Sequence, residues 1–255
     1  MQADERRRVR EAFDAAAVVY DEGADIQREI AAALAARTGA RLRCDGLIVD
    51  AGCGTGGLGL HLAAKQLPQV LGVDLAPAMA SIASTRYGKT LCGDIETLPL
   101  ANACADLYWS SLAWQWCDAV RTAREAARVL RPGGAALVAS LGPDTLAELR
   151  AAFAQIDGAE HVRRFESPEA LEAAFRAAGF SNVVLTRETH VRYSATLPDL
   201  LRGIRAIGAH TLGGGRRRGL LGKAAWTTLA RSYEAHRDAK GLPARYDVLL
   251  ILATR

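Results

Sequence analysis

A single segment decides the fold of this chain: Leu47-Ile48-Val49-Asp50-Ala51-Gly52-Cys53-Gly54-Thr55-Gly56-Gly57. A short apolar run that ends in glycines is typical of a buried parallel strand that delivers a loop to the start of a helix. Glycines in such a loop let the backbone approach a ligand where a Cβ atom would collide. The segment therefore predicts a ligand-binding turn at the edge of a parallel sheet.

Strands and helices alternate on the C-terminal side of this segment. The predicted strands are 70–74, 90–93, 106–110 and 135–141, and the predicted helices between them are 57–66, 77–87 and 119–130. Two later strands are predicted at 181–191 and 246–252. This alternation predicts an α/β fold, a doubly wound and mostly parallel seven-stranded sheet with helices on both faces.

The remaining segments are read as additions to one domain that spans residues 1–255. Residues 1–40 form an N-terminal helical cover, with helical structure predicted over 5–37. Residues 46–141 form the ligand-binding core, and residues 143–165 and 194–240 are helical insertions. Within them we predict a helix over 144–156 and helical structure over 197–236 that is broken by Gly213-Gly214-Gly215. Between them we predict a helix over 168–178 that Ser167 caps.

Composition excludes several classes of protein. Half of the 255 residues are apolar, which excludes a disordered chain. No run of eighteen apolar residues is present and the N-terminus lacks an apolar signal region, so we expect neither a membrane span nor secretion. Five cysteines without a CxxC pair suggest free thiols in the cytoplasm, and the scattered histidines predict no metal site.

The glycine loop and the next strand point to a nucleoside ligand without identifying it. Gly52, Gly54 and Gly56 fit a GxGxG pattern, whereas Gly52, Gly54 and Gly57 fit the dinucleotide pattern GxGxxG. Asp74 ends the second strand, where its carboxylate can accept hydrogen bonds from ribose hydroxyls, although it could equally cap the following helix.

The loop after the third strand separates the two ligand classes. In Gly93-Asp94-Ile95-Glu96-Thr97-Leu98-Pro99-Leu100, Asp94 can accept from an adenine amino group and Ile95 can pack on the ring. No second half for nicotinamide and no Tyr-x-x-x-Lys pattern is found, which disfavours an oxidoreductase. At this point the chain resembles the class I S-adenosylmethionine-dependent methyltransferases, which have a Rossmann-like fold. The resemblance rests on VDAGCGTG, GVDLAPAM, GDIETLPL, DLYWSSLAWQWC and REAARVLRPGG.

A narrower resemblance covers nearly the whole chain. Ala12-Phe13-Asp14, Tyr20, Ala24-Asp25, Gln27, Ser111–Cys117, His161–Phe165 and the 201–212 segment together look like the malonyl-[acyl-carrier protein] O-methyltransferases of biotin synthesis. Two departures from that pattern are Thr55, where the family often has Pro, and the order Ala209-His210-Thr211.

The resemblance implies S-adenosylmethionine as cofactor and a malonyl thioester on acyl carrier protein as substrate. No general base is required, because a carboxylate is already ionised near neutral pH. The implied cofactor-binding residues are Tyr20, Gln27, Gly52, Gly54, Gly56, Asp74, Leu75, Met79, Asp94, Ile95 and Ser110. The candidates for positioning the acceptor are Trp114, Gln115, Arg163, Arg164, Arg192, Arg202 and Arg205, with the arginines of the second insertion favoured. Trp114 and Trp116 are the two tryptophans of the Ser111–Cys117 segment, and core packing is the alternative for at least one of them.

A basic segment suits the acidic carrier protein. Residues 187–218 hold seven arginines and two acidic residues, and Arg202, Arg205, Arg216, Arg217, Arg218 and Lys223 could steer the carrier, although a solvated basic face is the alternative. No membrane partner and no nucleic acid is expected. The alternatives left open are a methyltransferase for another small carboxylic acid of the aconitate type or another small molecule, and a non-catalytic nucleoside-binding protein.

Overall fold

A computed structural model describes residues 3–38, 46–57, 69–206 and 221–255. The helices are α1 (Ala3–Ala16), α2 (Tyr20–Gly23), α3 (Asp25–Thr38), α4 (Pro77–Tyr87), α5 (Ala119–Val129), α6 (Ala147–Ala154), α7 (Pro168–Ala177), α8 (Leu197–Ala206) and α9 (Lys223–Glu234). The strands are β1 (Leu47–Ala51), β2 (Gln69–Asp74), β3 (Thr90–Cys92), β4 (Ala105–Ser111), β5 (Leu130–Leu141), β6 (Ser181–Ser194) and β7 (Leu242–Thr254). A short 3₁₀ turn (Trp114–Trp116) follows β4.

The strands form one seven-stranded sheet in the order β3-β2-β1-β4-β5-β7-β6. The pairs β1–β2, β1–β4, β2–β3 and β4–β5 are parallel, whereas β7 runs antiparallel to both β5 and β6. The predicted doubly wound, mostly parallel sheet is therefore confirmed. The strand order reverses between β1 and β4, and this is the point where such sheets bind ligands, at the carboxyl ends of the strands.

Two apolar cores sandwich the sheet, because successive side chains of a strand point to opposite faces. Ile48 packs with Ile30 and Leu34 of α3 on one face. Val49, the next residue of β1, packs with helices α5 and α7 on the other face. β1 is thus buried on both sides, which explains why its sequence is a continuous apolar run.

The structure corrects several predicted boundaries. The helical segment predicted over 5–37 consists of three helices. The first break is a turn at Ala17, where the backbone N–H groups of Ala17 and Val19 donate to Asp14 and Ala16. This turn lets Phe13, Ala17 and Tyr20 all pack against Met79. No glycine or proline lies at this break, whereas Gly23 ends α2 and marks the second break. The last two strands extend beyond 181–191 and 246–252.

Other helix predictions are met in part. Ser167 caps α7 as predicted, and its hydroxyl accepts from the Ala170 amide at 3.2 Å. The helix predicted over 144–156 is shorter, and the helical segment predicted over 197–236 contains α8 and α9. Most of the helix predicted over 57–66 lies outside the described residues, and so do residues 207–220 with the predicted break at Gly213-Gly214-Gly215 and with Arg216, Arg217 and Arg218. In the described ranges, none of the helices combines the length and apolar character that crossing a membrane requires.

Trp114, one of the predicted acceptor-positioning residues, lies in the core between sheet and helix. Its side chain is 2% exposed, and its ring stacks on Phe175 with 4.9 Å between the ring centroids. Its indole N–H donates to the Tyr108 hydroxyl at 3.3 Å. The alternative of core packing therefore describes this tryptophan.

We expect Trp114→Ala to lower the free energy of unfolding by about 3–5 kcal/mol, because it removes a large buried aromatic side chain and leaves a cavity. Urea denaturation at 25 °C measures this change. Val120→Ala, at an exposed position of α5, is the control and is expected to change stability by less than about 1 kcal/mol. Equal effects of the two substitutions would contradict the core assignment.

Candidate active site

The glycine loop after β1 has positive φ angles, which residues with a Cβ atom rarely adopt. Gly52, Gly54 and Gly56 all have positive φ angles, of 75°, 53° and 93°. A Cβ atom on Gly52 would lie 2.3 Å from the Cβ of Ala113, whereas one on Gly54 would meet nothing within 4 Å. Gly52 is therefore required for packing, and Gly54 borders open space at the mouth of the cleft.

Asp74 fixes this loop from the end of β2. Its carboxylate accepts a hydrogen bond from the Gly54 amide at 2.8 Å and another from the Ala76 amide at 2.9 Å. Burial raises the pKa of Asp74 to about 6, although these hydrogen bonds act in the opposite direction. Ala76, not Asp74, occupies the N-cap position of α4. Because each carboxylate oxygen can accept more than one hydrogen bond, Asp74 retains acceptor capacity toward a ligand.

Three cavities meet at the carboxyl edge of the sheet. The inner cavity is lined by Tyr20, Gln27, Asp50, Gly54 and Ser111, among others. The outer cavity is lined by Gly54, Asp74, Leu75, Asp94, Ile95 and Leu112, among others. The aromatic cavity is lined by Phe13, Tyr20, Gln27, Gln115, Trp116 and Arg163, among others. Tyr20 borders all three, so the cavities are adjacent around one side chain.

The inner and outer cavities share the glycine loop as their floor. Four lining residues are common to both cavities: Tyr20, Gly52, Gly54 and Ser111. The two cavities are therefore parts of one cleft, in which two parts of one ligand can lie on either side of the loop.

The inner cavity contains polar atoms that the protein itself does not satisfy. The side-chain oxygens of Gln27 and Ser111 are both buried without a hydrogen-bond partner. Buried polar atoms of this kind normally have partners, so they mark a place where a ligand or water supplies one. Burial and the nearby Asp74 raise the pKa of Tyr20 well above its usual range, so its hydroxyl remains protonated.

Asp50 is an inner-cavity residue that sequence reasoning missed as a site residue. Its carboxylate accepts from the Tyr87 hydroxyl at 2.6 Å. Burial raises its pKa to about 7, and the nearby Asp74 contributes to the rise. Its position near the end of β1, two residues before the first glycine of the loop, is the sequence feature that could have identified Asp50 as a site residue.

Ser111 was also missed, because the choice between two adjacent serines depends on which face of β4 each occupies. Ser110, the predicted residue, is fully buried and donates to the Ala51 carbonyl at 2.6 Å. Ser111, one position further along, lines the inner and outer cavities. Strand alternation places the two side chains on opposite sides.

The N-terminal helices cover the cleft through charged contacts. Arg6 of α1 lies with its Nε 2.8 Å from an Asp94 carboxylate oxygen and its Nη2 2.8 Å from Glu96. Asp94 also accepts from the Glu96 amide at 2.8 Å. The predicted ligand acceptor in the outer cavity is therefore also an attachment point for the cover.

A second attachment explains the unusual threonine of the glycine loop. The Thr55 hydroxyl donates to Asp21 at 2.6 Å, and Arg86 donates to Asp21 at 2.6 Å and to the Thr55 carbonyl at 2.7 Å. Despite partial burial, these hydrogen bonds lower the pKa of Asp21 below its ordinary value. Proline at position 55 would lack the hydroxyl, so this link between α2 and the loop depends on Thr55.

The aromatic cavity holds one of the predicted arginines. The guanidinium carbon of Arg163 lies 5.4 Å from the ring centroid of Trp116. Its Nη1 donates to Glu5 of α1 at 2.5 Å, and its buried Nε has no hydrogen-bond partner. Gln115 donates to the Leu112 carbonyl at 2.6 Å, which leaves its buried side-chain oxygen without a partner. The cavity thus offers a donor and an acceptor to a ligand.

The structure brings most of the predicted site residues together and places others elsewhere. Tyr20, Gln27, Gly52, Gly54, Asp74, Leu75, Asp94, Ile95, Gln115 and Arg163 line the three cavities. Met79 is buried in the small core under α1, and Gly56 packs against α4. Trp116, rather than Trp114, lines the outer and aromatic cavities.

Three other predicted arginines, Arg164, Arg192 and Arg202, lie outside the linings of these three cavities. Arg164 lines a separate cavity beside α6, and its amide donates to Glu160 at 3.1 Å. Arg192 pairs with Glu29 at 2.7 Å, and the exposed Arg202 pairs with Asp199. The backbone of Arg205 lies in α8, but its side chain is outside the described part of the chain. In the described ranges, no cluster of three His, Cys, Asp or Glu side chains is suited to hold a metal ion.

Comparisons with known proteins agree with this geometry. A family model described as a methyltransferase domain matches residues 49–138. A malonyl-[acyl-carrier protein] O-methyltransferase from Dechloromonas aromatica is 39% identical, across 98% of this chain and 95% of that protein. A protein of the same name from Laribacter hongkongensis is 40% identical, across 96% of this chain and 88% of that protein.

A solved structure shows the same fold at low sequence identity. A SAM-dependent methyltransferase from Thermotoga maritima, described as a possible histamine N-methyltransferase, matches with a TM-score of 0.56. It is 20% identical, and the match covers 96% of this chain and 99% of that one. This likeness confirms the predicted Rossmann-like architecture.

We expect Gly52→Ala to lower the free energy of unfolding by about 2–4 kcal/mol, because the new Cβ meets Ala113 and the left-handed backbone disfavours alanine. Chemical denaturation measures the loss. Gly158→Ala is the matched control, since its Cβ would meet nothing within 4 Å and its φ is not positive. The control should be unchanged or stabilised by up to about 1 kcal/mol. A Gly52 variant as stable as the control would refute the packing argument.

Proposed function

Since this chain belongs to the family of malonyl-[acyl-carrier protein] O-methyltransferases, we propose that it methylates the free carboxylate of a malonyl group carried on acyl carrier protein. The methyl donor is S-adenosylmethionine, and the methyl ester is an early intermediate of biotin synthesis. The observation that carries this proposal is identity of 39–40% along nearly the whole length of both this chain and relatives that bear the name. The residues matched therefore include the N-terminal helices and the insertions as well as the core.

The residues of the inner and outer cavities fit the cofactor. We assign Asp74 to the ribose hydroxyls and Asp94 with Ile95 to the adenine, since all three residues line the outer cavity. The amino-acid part belongs in the inner cavity, where the unpartnered oxygens of Gln27 and Ser111 are suited to accept from an ammonium group. The open space above Gly54 supports this assignment, since a side chain there would compete with the ligand.

Methyl transfer to a carboxylate depends on how the two reactants are positioned and requires no general base. When bound, the sulfonium supplies a methyl group, and transfer to a carboxylate oxygen leaves the electron pair of the broken bond on sulfur. A carboxylate with an ordinary pKa near 4 is already the nucleophile at neutral pH. Holding the reacting groups in line and away from water can contribute roughly 7–11 kcal/mol. The two reactants can meet beside Tyr20, because this residue lines both the cofactor cavities and the aromatic cavity.

We assign the acceptor to the aromatic cavity and its carboxylate to Arg163. Among the predicted arginines whose side chains the structure describes, Arg163 is the one that lines this cavity, and its buried Nε is free to donate. An arginine that binds one oxygen leaves the second oxygen available to attack. Trp116 holds the guanidinium in place, and Gln115 presents an acceptor to the thioester arm.

The carrier protein is proposed to dock on the second insertion, on basic residues that include Arg202 and Lys223. Charge complementarity supports this surface, because acyl carrier proteins are acidic and residues 187–218 are rich in arginine. We place the enzyme in the cytoplasm. The four cysteines within the described residues are free thiols, which supports a reducing compartment.

Incubation with methyl-labelled S-adenosylmethionine tests the proposed function. We expect label transfer to malonyl-carrier protein and to malonyl-coenzyme A, and little transfer to the succinyl thioester or to aconitate. Added salt should reduce turnover of the carrier-bound substrate more steeply than turnover of a short malonyl thioester, because screening weakens docking of an acidic protein. Transfer to aconitate alone would favour the alternative small-acid methyltransferase, and equal salt slopes would contradict docking on the basic segment.

The pH dependence of cofactor binding tests the role of Asp74. Its ionised form accepts hydroxyl hydrogen bonds and attracts the sulfonium, so affinity should fall as the pH drops through the pKa of about 6. A single group of this pKa predicts about a tenfold rise in Kd between pH 7 and pH 5, measured by calorimetry.

Asp74→Asn is the comparison for this measurement. It should bind more weakly at pH 7 and should lack the step near pH 6, and the pKa of Asp50 should fall, because the charge of Asp74 no longer contributes to its rise. Thermal unfolding checks that the variant is folded, since one of the two backbone donors loses its acceptor. Identical pH profiles for the two proteins would remove Asp74 from the cofactor site.

A further inference from the structure

The arginine of the aromatic cavity already holds a carboxylate that belongs to the protein. Glu5 of α1 accepts from Arg163 Nη1 at 2.5 Å, across 158 positions of sequence. Both side chains are largely shielded, with 26% of Glu5 and 20% of Arg163 exposed. The partner of the guanidinium is thus the same chemical group, a monoanionic carboxylate, that the proposed substrate presents.

The contact is only partly formed on the arginine side. Arg163 uses Nη1 toward Glu5, while its Nε is buried without a hydrogen-bond partner. A carboxylate that enters the aromatic cavity therefore has a vacant donor in Nε. Once one of its oxygens is bound there, two negative charges share one guanidinium, and their repulsion favours departure of Glu5 from Nη1.

We propose that Glu5 is a specificity-determining residue that exchanges with the substrate carboxylate on Arg163. This inference rests on the proposed function and deepens it. An acceptor with a free carboxylate replaces the Glu5–Arg163 pair with an equivalent pair, and Glu5 turns toward solvent. An acceptor without that charge breaks the pair and forms none in return, so the exchange selects the free acid over esters and amides.

The same exchange favours release of the product. Before transfer the acceptor is an anion that competes with Glu5, and after transfer it is a neutral ester that cannot pair with Arg163. Glu5 then regains its partner and closes α1 over a cavity that no longer holds a charged ligand. Glu5 therefore acts before and after the methyl transfer, and it takes no part in that step.

An ordinary structural role for Glu5 makes the opposite prediction. An acidic residue in the first turn stabilises a helix through its dipole, and an ion pair to Arg163 fastens α1 to the core. If that is its whole role, removing its charge loosens the cover and leaves ligand affinity unchanged or weaker. If Glu5 competes with the acceptor, removing its charge strengthens acceptor binding.

Glu5→Gln separates these roles, because the amide keeps an acceptor oxygen for Arg163 but has no charge. The ligand is malonyl-pantetheine, titrated by calorimetry into enzyme loaded with S-adenosylhomocysteine, so that binding is measured without turnover. We expect its Kd to fall about two- to fivefold relative to the unaltered enzyme, the range of a partly exposed ion pair. The methyl ester should also bind more tightly, and product inhibition during turnover should increase.

Glu11→Gln is the matched control, since Glu11 lies on the same helix, is exposed, and is 3.9 Å from Arg7. It makes the same change in net charge and should leave the Kd for malonyl-pantetheine unchanged. The Kd for S-adenosylhomocysteine should stay constant in both variants, which shows that α1 has not loosened. Glu5→Ala should bind malonyl-pantetheine more tightly as well, although it lacks the amide.

The inference is overturned if both Glu5 variants bind malonyl-pantetheine no more tightly than the unaltered enzyme, or if Glu11→Gln gives the same gain. Failure of the proposed function has a different signature. In that case the unaltered enzyme transfers no label to any malonyl thioester. Label transfer by the unaltered enzyme without a gain in the Glu5 variants refutes the exchange alone.

Discussion

The cleft depends on one carboxylate, that of Asp74, which joins two parallel strands at their carboxyl ends. By accepting from the Gly54 and Ala76 amides, it fixes the glycine loop of β1 to the turn after β2. The surrounding protein raises its pKa, which means that the fold holds this group at a cost that its own hydrogen bonds only partly offset. A charged acceptor kept in such a place is typical of a binding site.

The N-terminal cover is attached to the core by charged side chains at its edges as well as by apolar packing. Arg6 reaches Asp94 and Glu96, Asp21 reaches Thr55 and Arg86, and Glu5 reaches Arg163. Partly exposed ion pairs contribute little to stability, with typical values of roughly 0–1 kcal/mol each. Ion pairs of this strength can be replaced by contacts with a ligand. If the N-terminal helices were held by apolar packing alone, admitting a ligand would expose that apolar surface to water.

Local sequence patterns were sufficient to predict the sheet and the floor of the cleft. The run Leu47–Ala51, the glycines and the acid at the end of β2 are each visible within a few residues. The local pattern did not show which face of a strand a given side chain occupies, or which way a side chain on a short turn points. The pattern therefore led to Ser110 instead of Ser111, and to Trp114 where Trp116 lines the cavities.

The remaining features depend on contacts between distant parts of the chain. Arg163 and Glu5 lie in separate predicted segments, and nothing near either residue indicates the other. The preference for arginines of the second insertion came from local charge density. In the structure Arg192 and Arg202 already have acidic neighbours outside the three cavities, so density of charge did not identify the arginine that faces the cleft. Their roles, like that of Arg163, remain predictions.

The distribution of charge around Tyr20 suits a reaction between ions of opposite sign. The cofactor side has an excess of acids, with four aspartates (Asp21, Asp50, Asp74 and Asp94) against two arginines (Arg28 and Arg86), and the charged group on the acceptor side is Arg163. A cationic donor and an anionic acceptor are each attracted to their own side, so the pair is bound in the orientation that transfer needs. Transfer neutralises both ligands, and each side of the cleft then holds its product less tightly than its substrate. The same electrostatic arrangement that assembles the reactants therefore favours departure of the products.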